Sequence, residues 1–231
     1  MLFKMKIASI FLKKKLDKNI DHFLDNSQLH YLKNVLKVRE DEQVNIFNGE
    51  GSKYLAKFDG IKSLKVFDIE KRNKVFVSSI LVPVLKKNPF EYLIQKSVEI
   101  GVNKIFCYIS EKNKEKYSFG SELKKIERYR EIIKSAFLQS ENFHLPQIDI
   151  YESIFHFDFS KFQKIVVLDQ EAHESLQPGL DAELIISGGE FGFDQNERDI
   201  IGKNKVNYLN LGENILRAET APVAALSRIN I

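Results

Sequence analysis

The sequence has little of what several protein classes require. It contains one cysteine, Cys107, among 231 residues, so neither a disulfide framework nor a cysteine metal cluster can form within the chain. The apolar run at residues 7–12 is shorter than the core of a secretory signal peptide. No apolar run approaches the roughly 20 residues of a membrane-spanning helix. These shortages predict a cytoplasmic protein in a reducing compartment, with no membrane segment.

Motifs for metals and common nucleotides are also missing. The five histidines show no metal-ligand spacing, which predicts a protein without a bound metal. The glycines form neither a P-loop, since no Gly-Lys-Ser/Thr follows them, nor a Gly-x-Gly-x-x-Gly fingerprint. Nucleotide hydrolysis and hydride transfer are therefore not indicated.

Positive charge is concentrated in the first third of the chain. Residues 1–74 hold 16 Lys and Arg against 10 Asp and Glu, a net charge of +6, within an overall net charge of +3. The remaining residues hold 19 against 22, a net charge of −3. A basic segment of this kind favours a polyanionic partner such as nucleic acid. A lysine-rich solvated surface is the alternative interpretation, and charge alone does not decide between the two.

The pattern of residues 1–72 is that of short strands around one helix. Alternating apolar residues flank a turn at residues 49–51, as in a hairpin. The strands are expected at residues 43–48, 54–58 and 64–69. Asp25 or Asn26 can cap the helix. Its buried face should contain Leu29, Leu32, Val35 and Leu36. A small β-barrel with one helix is the expected assembly.

From residue 73 to residue 231 strands alternate with helices, which predicts an open α/β sheet. The strands are expected at residues 75–84, 105–109, 165–168, 184–186 and 206–209. Helix N-caps are expected at Asn88, Ser121 and Asp194. Asp194 and Glu197 have the spacing of a capping box. Pro222 is tolerated only in a first helical turn, so the last helix should begin near Ala218.

Two loops in this second part each follow a short apolar strand and precede a helix. The first, residues 187–193, contains Gly188, Gly189 and Gly192. The second spans residues 211–221. Loops after neighbouring strands can meet at one end of an α/β sheet, where such proteins bind ligands. Glycine there supplies a positive φ or lets a ligand approach the backbone.

The loops resemble the paired signatures of the RsmE-like family of ribosomal RNA methyltransferases, which belong to the knotted SPOUT superfamily. Residues 211–221 match the family's Leu-Gly-x-x-Ile-Leu-Arg-x-Glu-Thr-Ala. Residues 188–193 are similar to its Gly-Pro-Glu-Gly-Gly-Phe, with Gly189 in place of proline and Phe191 in place of the first paired glycine. Similar segments at residues 30–37, 92–102 and 139–146 extend the resemblance over the whole chain. Arginines usual in the family are replaced by Lys37, Asn142 and Asn214.

The resemblance implies both a fold and an activity. The fold is a PUA-like N-terminal β-barrel over residues 1–72, followed over residues 73–231 by a SPOUT α/β domain with a C-terminal trefoil knot. The implied reaction is S-adenosylmethionine-dependent methylation of N3 of a specific uridine in 16S ribosomal RNA, on the assembled small subunit. A homodimer is also implied. The final helix, whose apolar face is Val223, Leu226 and Ile229, is the expected contact.

The expected site residues follow from the matched motifs and from the clustering of the strand ends beside them. The residues expected around the cofactor are Leu168, Ser187, Gly188, Gly189, Glu190, Gly192, Leu209, Asn210, Leu211, Gly212, Ile215 and Leu216. The residues expected to bind RNA are His30, Lys33, Lys37 and Arg39. Arg217 is the expected catalytic cation, because a cation at a helix N-terminus interacts unfavourably with the helix dipole and so has no structural role there. Glu190, Glu219 and water remain open as the base that takes the N3 proton, and Glu219 is as well explained as a complement to the helix dipole.

Two other functions remain open. One is a related SPOUT enzyme that methylates a ribose 2′-hydroxyl. The other is a non-catalytic RNA-binding or ribosome-assembly protein with a degenerate cofactor loop, for which Phe191 is the motive.

Overall fold

The computed structural model describes residues 7–74 and 77–230. These residues form two compact units. The first contains the described residues up to 74 together with Phe137–Leu145, and the second contains the other described residues. No helix in these ranges is long and apolar enough to cross a membrane.

The first unit is built on a five-stranded sheet. Its strands are β1 (Ala8–Phe11), β2 (Asp21–Phe23), β3 (Gln43–Phe47), β4 (Ser52–Phe58) and β5 (Ser63–Lys71). Their order is β1-β3-β4-β5-β2, with β1 parallel to β3 and all other pairs antiparallel. The predicted hairpin of β3 and β4 is confirmed. Asn48 Oδ1 accepts hydrogen bonds from the amides of Glu50 and Ser52, which fixes the turn.

The helix of this unit begins as the sequence predicts and then changes type. Asp25 caps α1 (Asn26–His30) in a capping box with Gln28. The chain continues as a π-helix over Tyr31–Val35. A π-helix has a wider i→i+5 turn, which changes the phase of the side chains. Leu32 is accordingly buried, whereas Val35 is 56% exposed, so the prediction that Val35 is buried was wrong.

The second segment of the first unit completes an aromatic cluster. Phe137 is fully buried and meets the rings of Phe11 and Phe47 at centroid distances of 6.0 and 5.8 Å. Phe143 meets Phe47 at 5.9 Å. Edge-to-face aromatic pairs of this kind add to the free energy of burial. Residues 137–145 are therefore part of the N-terminal core, although they lie far along the chain.

The second unit is a six-stranded parallel sheet with helices. The strands are β6 (Ser79–Pro83), β7 (Lys104–Tyr108), β8 (Gln147–Tyr151), β9 (Ile165–Leu168), β10 (Leu184–Ser187) and β11 (Val206–Leu209). The helices that begin in this unit are α2 (Lys87–Glu99), α3 (Phe119–Leu123), α4 (Ile126–Gln139), α5 (Gln195–Gly202) and α6 (Thr220–Asn230). The strand order is β11-β9-β10-β6-β7-β8. Every neighbouring pair is parallel, which confirms the predicted α/β sheet.

Two predicted helix caps were wrong. Helix α2 begins one residue before Asn88, after Lys86, and no side chain caps it. Ser118, not Ser121, caps the short helix α3 by accepting from the Ser121 amide. The expected strand at residues 75–84 begins at Ser79, while residues 75 and 76 lie outside the described part. The capping box of Asp194 and Glu197 is confirmed, because the side chain of each residue accepts a hydrogen bond from the backbone amide of the other.

The last helix is positioned by its proline and its apolar side. Helix α6 begins at Thr220, which leaves Pro222 in the first turn where no backbone hydrogen bond is lost. The helix packs against α2 and β10. Leu226 is fully buried within the chain. The expectation that Leu226 faces a partner subunit was therefore wrong, because the residue belongs to the core of its own unit.

Candidate active site

The carboxyl ends of three adjacent strands bring the predicted loops together. Ser187 and Leu209 both stand opposite Leu168 in the register of β10, β9 and β11. The loops that leave these residues surround one cavity of about 740 Å³. Small-molecule sites in proteins have volumes of roughly 300–1,000 Å³. The cavity thus lies where parallel α/β sheets bind ligands and is large enough to hold one.

The glycine loop is a tight turn with glycines for two different reasons. The Gly192 amide donates to the Gly189 carbonyl at 3.0 Å, which places Glu190 and Phe191 at the tip. Gly192 has a φ of +67°, a conformation that glycine adopts without cost. A Cβ on Gly188 would lie 3.0 Å from the Gly192 Cα, so the loop closes on itself only with glycine there.

Asn210 holds the second loop in place. Its Oδ1 accepts from Ser175 Oγ at 2.8 Å and from the Gly212 amide at 3.1 Å. Its Nδ2 donates to the Ala172 carbonyl at 2.7 Å. Gln170 Nε2 donates to the Gly212 carbonyl from the loop after β9. The loops after β9 and β11 are therefore tied together by side-chain amides.

The structure gathers nearly all of the residues predicted to surround a cofactor. Eleven of the twelve line the cavity, and Gly212 is the exception. Gly212 instead serves the loop backbone, with a φ of +121°. The three catalytic candidates, Arg217, Glu190 and Glu219, also line the cavity.

Charged side chains at the cavity differ in whether they have partners. Glu190 pairs with Lys86 at 3.2 Å. Asp169, whose side chain is largely buried, pairs with Arg198 at 2.8 Å. The Arg217 side chain is 85% exposed, and its nearest ion-pair partner is the Glu219 carboxylate at 4.0 Å. Arg217 thus retains donors for an incoming anion.

Tyr117 borders this charged group. Burial, followed by the nearby Glu190 carboxylate, raises the pKa of the Tyr117 phenol above its ordinary value of 10.0. The phenol therefore stays protonated at neutral pH and can serve only as a neutral hydrogen-bonding group.

Sequence reasoning missed Lys86, Asp169 and Arg198 at this site. Lys86 follows β6, Asp169 follows β9, and Arg198 lies on α5. None belongs to a recognisable motif. They reach the cavity because β6 and β9 flank β10, and strand order of this kind is not written in the local sequence. The position of Asp169 directly after a buried strand was the one available signal.

The four predicted RNA-binding residues are exposed on the first unit. His30 Nδ1 is hydrogen-bonded to the side-chain Nδ2 of Asn34 at 2.8 Å. The Lys33 ammonium lies 5.6 Å from the centre of the Phe58 ring. Lys37 has a φ of +54°, and the Arg39 amide donates to Glu42. The segment presents these side chains to solvent within ten residues of chain.

No three His, Cys, Asp or Glu side chains among residues 7–74 and 77–230 gather as a metal site would require.

Comparison with known proteins assigns both units. Residues 71–230 match a family model described as an RNA methyltransferase domain, and residues 24–69 match one described as an RNA methyltransferase PUA domain. Ribosomal RNA small subunit methyltransferase E of Buchnera aphidicola subsp. Acyrthosiphon pisum is 31% identical over 97% of this chain and 93% of its own length. The protein of the same name from Rickettsia conorii is 27% identical over 98% and 96%.

Solved structures have the same fold. A methyltransferase from Legionella pneumophila in complex with S-adenosylmethionine superimposes with a TM-score of 0.83, at 23% identity over 96% of both chains. Ribosomal RNA small subunit methyltransferase E from Neisseria gonorrhoeae, bound to S-adenosylmethionine, gives a TM-score of 0.81 at 22% identity over 96% of both chains. The predicted order of a PUA-like unit and an α/β domain is thereby confirmed, and the trefoil knot stays a prediction.

The two family models and the parallel α/β sheet with its cavity together assign the chain to the RNA methyltransferases with an N-terminal PUA domain. The chain belongs to this class and, within it, to the family of ribosomal RNA small subunit methyltransferase E.

Proposed function

We propose that this chain transfers the methyl group of S-adenosylmethionine to N3 of a specific uridine in 16S ribosomal RNA, on the assembled small subunit in the cytoplasm. One observation carries the proposal. Eleven residues assigned to the cofactor from sequence line a single cavity at the carboxyl ends of β9, β10 and β11. The family of the chain supports the RNA substrate, since its relatives are named for the small ribosomal subunit.

The cavity has the chemistry that S-adenosylmethionine needs. Leu168, Leu209 and Leu216 offer apolar wall for an adenine ring, and Gly192 lets the backbone approach it. The Glu171 carboxylate would complement the positive charges of the amino acid and sulfonium parts, whereas Asp169 is already paired with Arg198. When bound, the cofactor supplies an electrophilic methyl group.

The residues of the chain must prepare the uracil ring for the transfer. N3 carries a proton, which has to leave before its lone pair can react, and negative charge then spreads onto the flanking carbonyls. Arg217 can hold that charge with its guanidinium donors. Glu190, Glu219 and water are the candidates for the base. Glu190 forms an ion pair with Lys86. Glu219 is less exposed than Glu190 and lies 4.0 Å from Arg217.

The first unit is the proposed RNA-binding element. Its exposed basic segment contains His30, Lys33, Lys37 and Arg39. The net charge of +6 over residues 1–74 attracts a polyanion at long range, while phosphate contacts set the orientation of the RNA.

We also propose a homodimer. Leu226 cannot take part, because it is buried within the chain. Ile215, which lines the cavity and is 87% exposed, offers apolar surface beside the site instead. Light scattering at micromolar concentration should give twice the mass of the chain, and a monomer alone would contradict the dimer.

The reaction is tested with small ribosomal subunits from a deletion strain. The purified chain and S-adenosylmethionine should produce 3-methyluridine in the 16S RNA, detected by mass spectrometry of digested nucleosides. Naked 16S RNA is the control substrate and should be methylated more slowly than the assembled subunit. A ribose-methylated nucleoside would instead favour a 2′-hydroxyl transferase. Absence of both the product and calorimetric binding of S-adenosylhomocysteine would favour a non-catalytic RNA-binding protein.

A further inference from the structure

A large aromatic side chain stands exposed beside the cavity. Phe191 occupies the tip of the turn between Gly189 and Gly192 and is 60% exposed. Its neighbours Glu190 and Gly192 line the cavity, whereas Phe191 is not among the lining residues. The ring is therefore presented beside the cavity and not within it.

Two lysines from a neighbouring loop hold this turn. The Lys112 ammonium donates to the Phe191 carbonyl at 2.6 Å. The Lys116 ammonium lies 5.8 Å from the centre of the Phe191 ring, within the range of a cation–π contact. Both lysines follow β7, which is separated from β10 only by β6. The tip is thus anchored through its backbone while the residue stays exposed.

Lysines predominate around the ring. Lys86, Lys112, Lys114 and Lys116 are all exposed in this part of the unit. Glu190 and Glu111 form ion pairs with Lys86 and Lys114, and the exposed Glu115 offsets a further charge. Lysines still outnumber carboxylates by four to three, and among the described residues Lys112 and Lys116, the two that contact Phe191, form no ion pair within 4 Å. Cations around an exposed aromatic ring favour a nucleic acid, because phosphates meet the ammonium groups and a base stacks on the ring. A protein interface would instead tend to surround its aromatic residue with apolar contacts.

We propose that Phe191 is a stacking platform for an unpaired base of the RNA substrate, and that Lys112 and Lys116 fix the platform and attract the adjacent phosphates. The inference rests on the proposed function, because it assumes that RNA approaches this cavity. Phe191 positions the substrate and takes no part in the chemistry. Its ring does not line the cavity, so cofactor affinity should not depend on it.

The absence of tryptophan from the chain permits a direct test. In Phe191→Trp the new indole is the only tryptophan, and stacking with a base should quench its fluorescence. Titration with single-stranded oligouridylate should give a saturable quench. Phe155→Trp is the matched control, since Phe155 is 48% exposed and does not line the cavity. Its fluorescence should not respond.

Kinetics supply the second arm. Base–aromatic stacking is worth roughly 1–3 kcal/mol per base, so Phe191→Ala should raise KM for small subunits by roughly 5–150-fold. The dissociation constant of S-adenosylhomocysteine should stay within about twofold of wild type, which a loop that had merely collapsed would not allow. Phe191→Tyr should restore KM, because it keeps the ring. Phe155→Ala should leave KM unchanged.

Several results would overturn the inference. An unquenched Phe191→Trp, or a normal KM in Phe191→Ala, would show that no base stacks there. Fluorescence that changes with protein concentration and not with RNA would assign Phe191 to a contact between copies of the chain. The proposed function fails separately, when the wild-type chain does not methylate small subunits, and in that case the oligouridylate titration still decides whether Phe191 binds a base.

Discussion

Arg217 is the cation best placed to stabilise charge on a substrate. Lys86 and Arg198, the other cations at the cavity, are already paired with carboxylates at 3.2 and 2.8 Å. Arg217 is more exposed than either and lies 4.0 Å from Glu219. Its side chain contributes little to the fold, so a change there reports on the reaction and not on stability.

Arg217→Lys should lose turnover while keeping its fold and its cofactor affinity. Lysine retains the charge but not the two-donor geometry that matches an anionic uracil edge. Loss of one contact made in the transition state costs on the order of 10²–10³ in kcat, by analogy with an oxyanion-hole donor. Single-turnover methylation of small subunits measures the loss, and calorimetry with S-adenosylhomocysteine is the control. Near-normal turnover would show that Arg217 supplies only a replaceable charge.

Asp59 shows how a single carboxylate holds a turn. Its Oδ1 accepts from the amides of Ile61, Lys62 and Ser63, and its Oδ2 accepts from Ser63 Oγ. Burial raises the pKa of Asp59, but the hydrogen bonds together outweigh it and lower the pKa from 3.8 to about 2. The ionised form therefore stabilises the fold above about pH 4, and this contribution is lost as the pH falls through about 2.

Asp59→Asn should consequently destabilise the protein at neutral pH and not at low pH. We expect a decrease in the free energy of unfolding on the order of 1 kcal/mol at pH 7, after allowance for solvent screening. The difference from wild type should shrink as the pH falls from about 4 to 2. Urea unfolding across this range measures it. Asp68→Asn, which removes an exposed ion pair with Lys18, is the control and should change little. A difference that does not depend on pH would contradict the assignment.

Gly192 in the glycine turn has two roles, since it adopts a left-handed backbone and also lines the cavity. Gly192 has a φ of +67°, and a Cβ there would meet no described atom within 4 Å. Gly101, which ends helix α2, has a φ of +91° and the same open surroundings. Both glycines therefore need a left-handed backbone, but only Gly192 lines the cavity.

This pair separates folding from cofactor binding. Alanine at either position should lower the free energy of unfolding by roughly 1–2 kcal/mol, the usual cost of a left-handed L-residue. Only Gly192→Ala should also weaken S-adenosylhomocysteine binding, because relaxation of its backbone would displace the turn that carries Glu190. Thermal unfolding and calorimetry of both variants provide the comparison. Equal affinities would show that the turn does not hold the cofactor.

Local sequence rules succeeded where the cause was local. The cap of α1 by Asp25, the capping box of α5 and the first-turn proline of α6 follow from a few adjacent residues, and the structure confirms them. Val35 was misplaced because a π-helix shifted the phase of an apolar pattern that was itself correct. Ser121 was a reasonable cap, but Ser118 begins a separate short helix before it.

The site was predictable to the extent that it lies on loops with recognisable motifs. Eight of the eleven predicted cofactor residues that line the cavity come from those two loops, and the other three, Leu168, Leu209 and Asn210, lie at or just after strand ends. Lys86 and Arg198 came from elements whose placement depends on the order β11-β9-β10-β6, which results from tertiary packing. From the sequence, Phe191 is distinguished only as a departure from the family pattern. The proposed role of Phe191 depends on its contacts with Lys112 and Lys116, which only the structure shows.

The first 74 residues and the rest of the chain carry opposite net charge, which suggests a division of work. Residues 1–74 have a net charge of +6, and the remainder has a net charge of −3. A cut after residue 74 is a poor test, because Phe137 and Phe143 belong to the N-terminal core and would lose their aromatic partners. Charge removal in the intact chain avoids this problem.

Removal of three charges from the segment after α1 should weaken RNA binding and its dependence on salt. The variant combines Lys33→Gln, Arg39→Gln and Lys37→Asn, since asparagine tolerates the φ of +54°. Each phosphate contact contributes about 0.7–0.9 to the slope of log K against log salt, so the slope should fall by about 2–3 if all three residues bind phosphate. Filter binding of small subunits over a salt series measures the slope.

The matched control removes the same net charge elsewhere in the same unit. Lys13, Lys14 and Lys15 are all exposed, and their replacement by glutamine leaves the N-terminal net charge equal to that of the first variant. If the segment after α1 contacts phosphates, only the first variant should lower the slope, because counterion release depends on contacts. Long-range attraction by net charge would lower association rates equally in both variants. Equal slopes in the two variants would therefore show that the basic N-terminal unit attracts RNA without binding it through these residues.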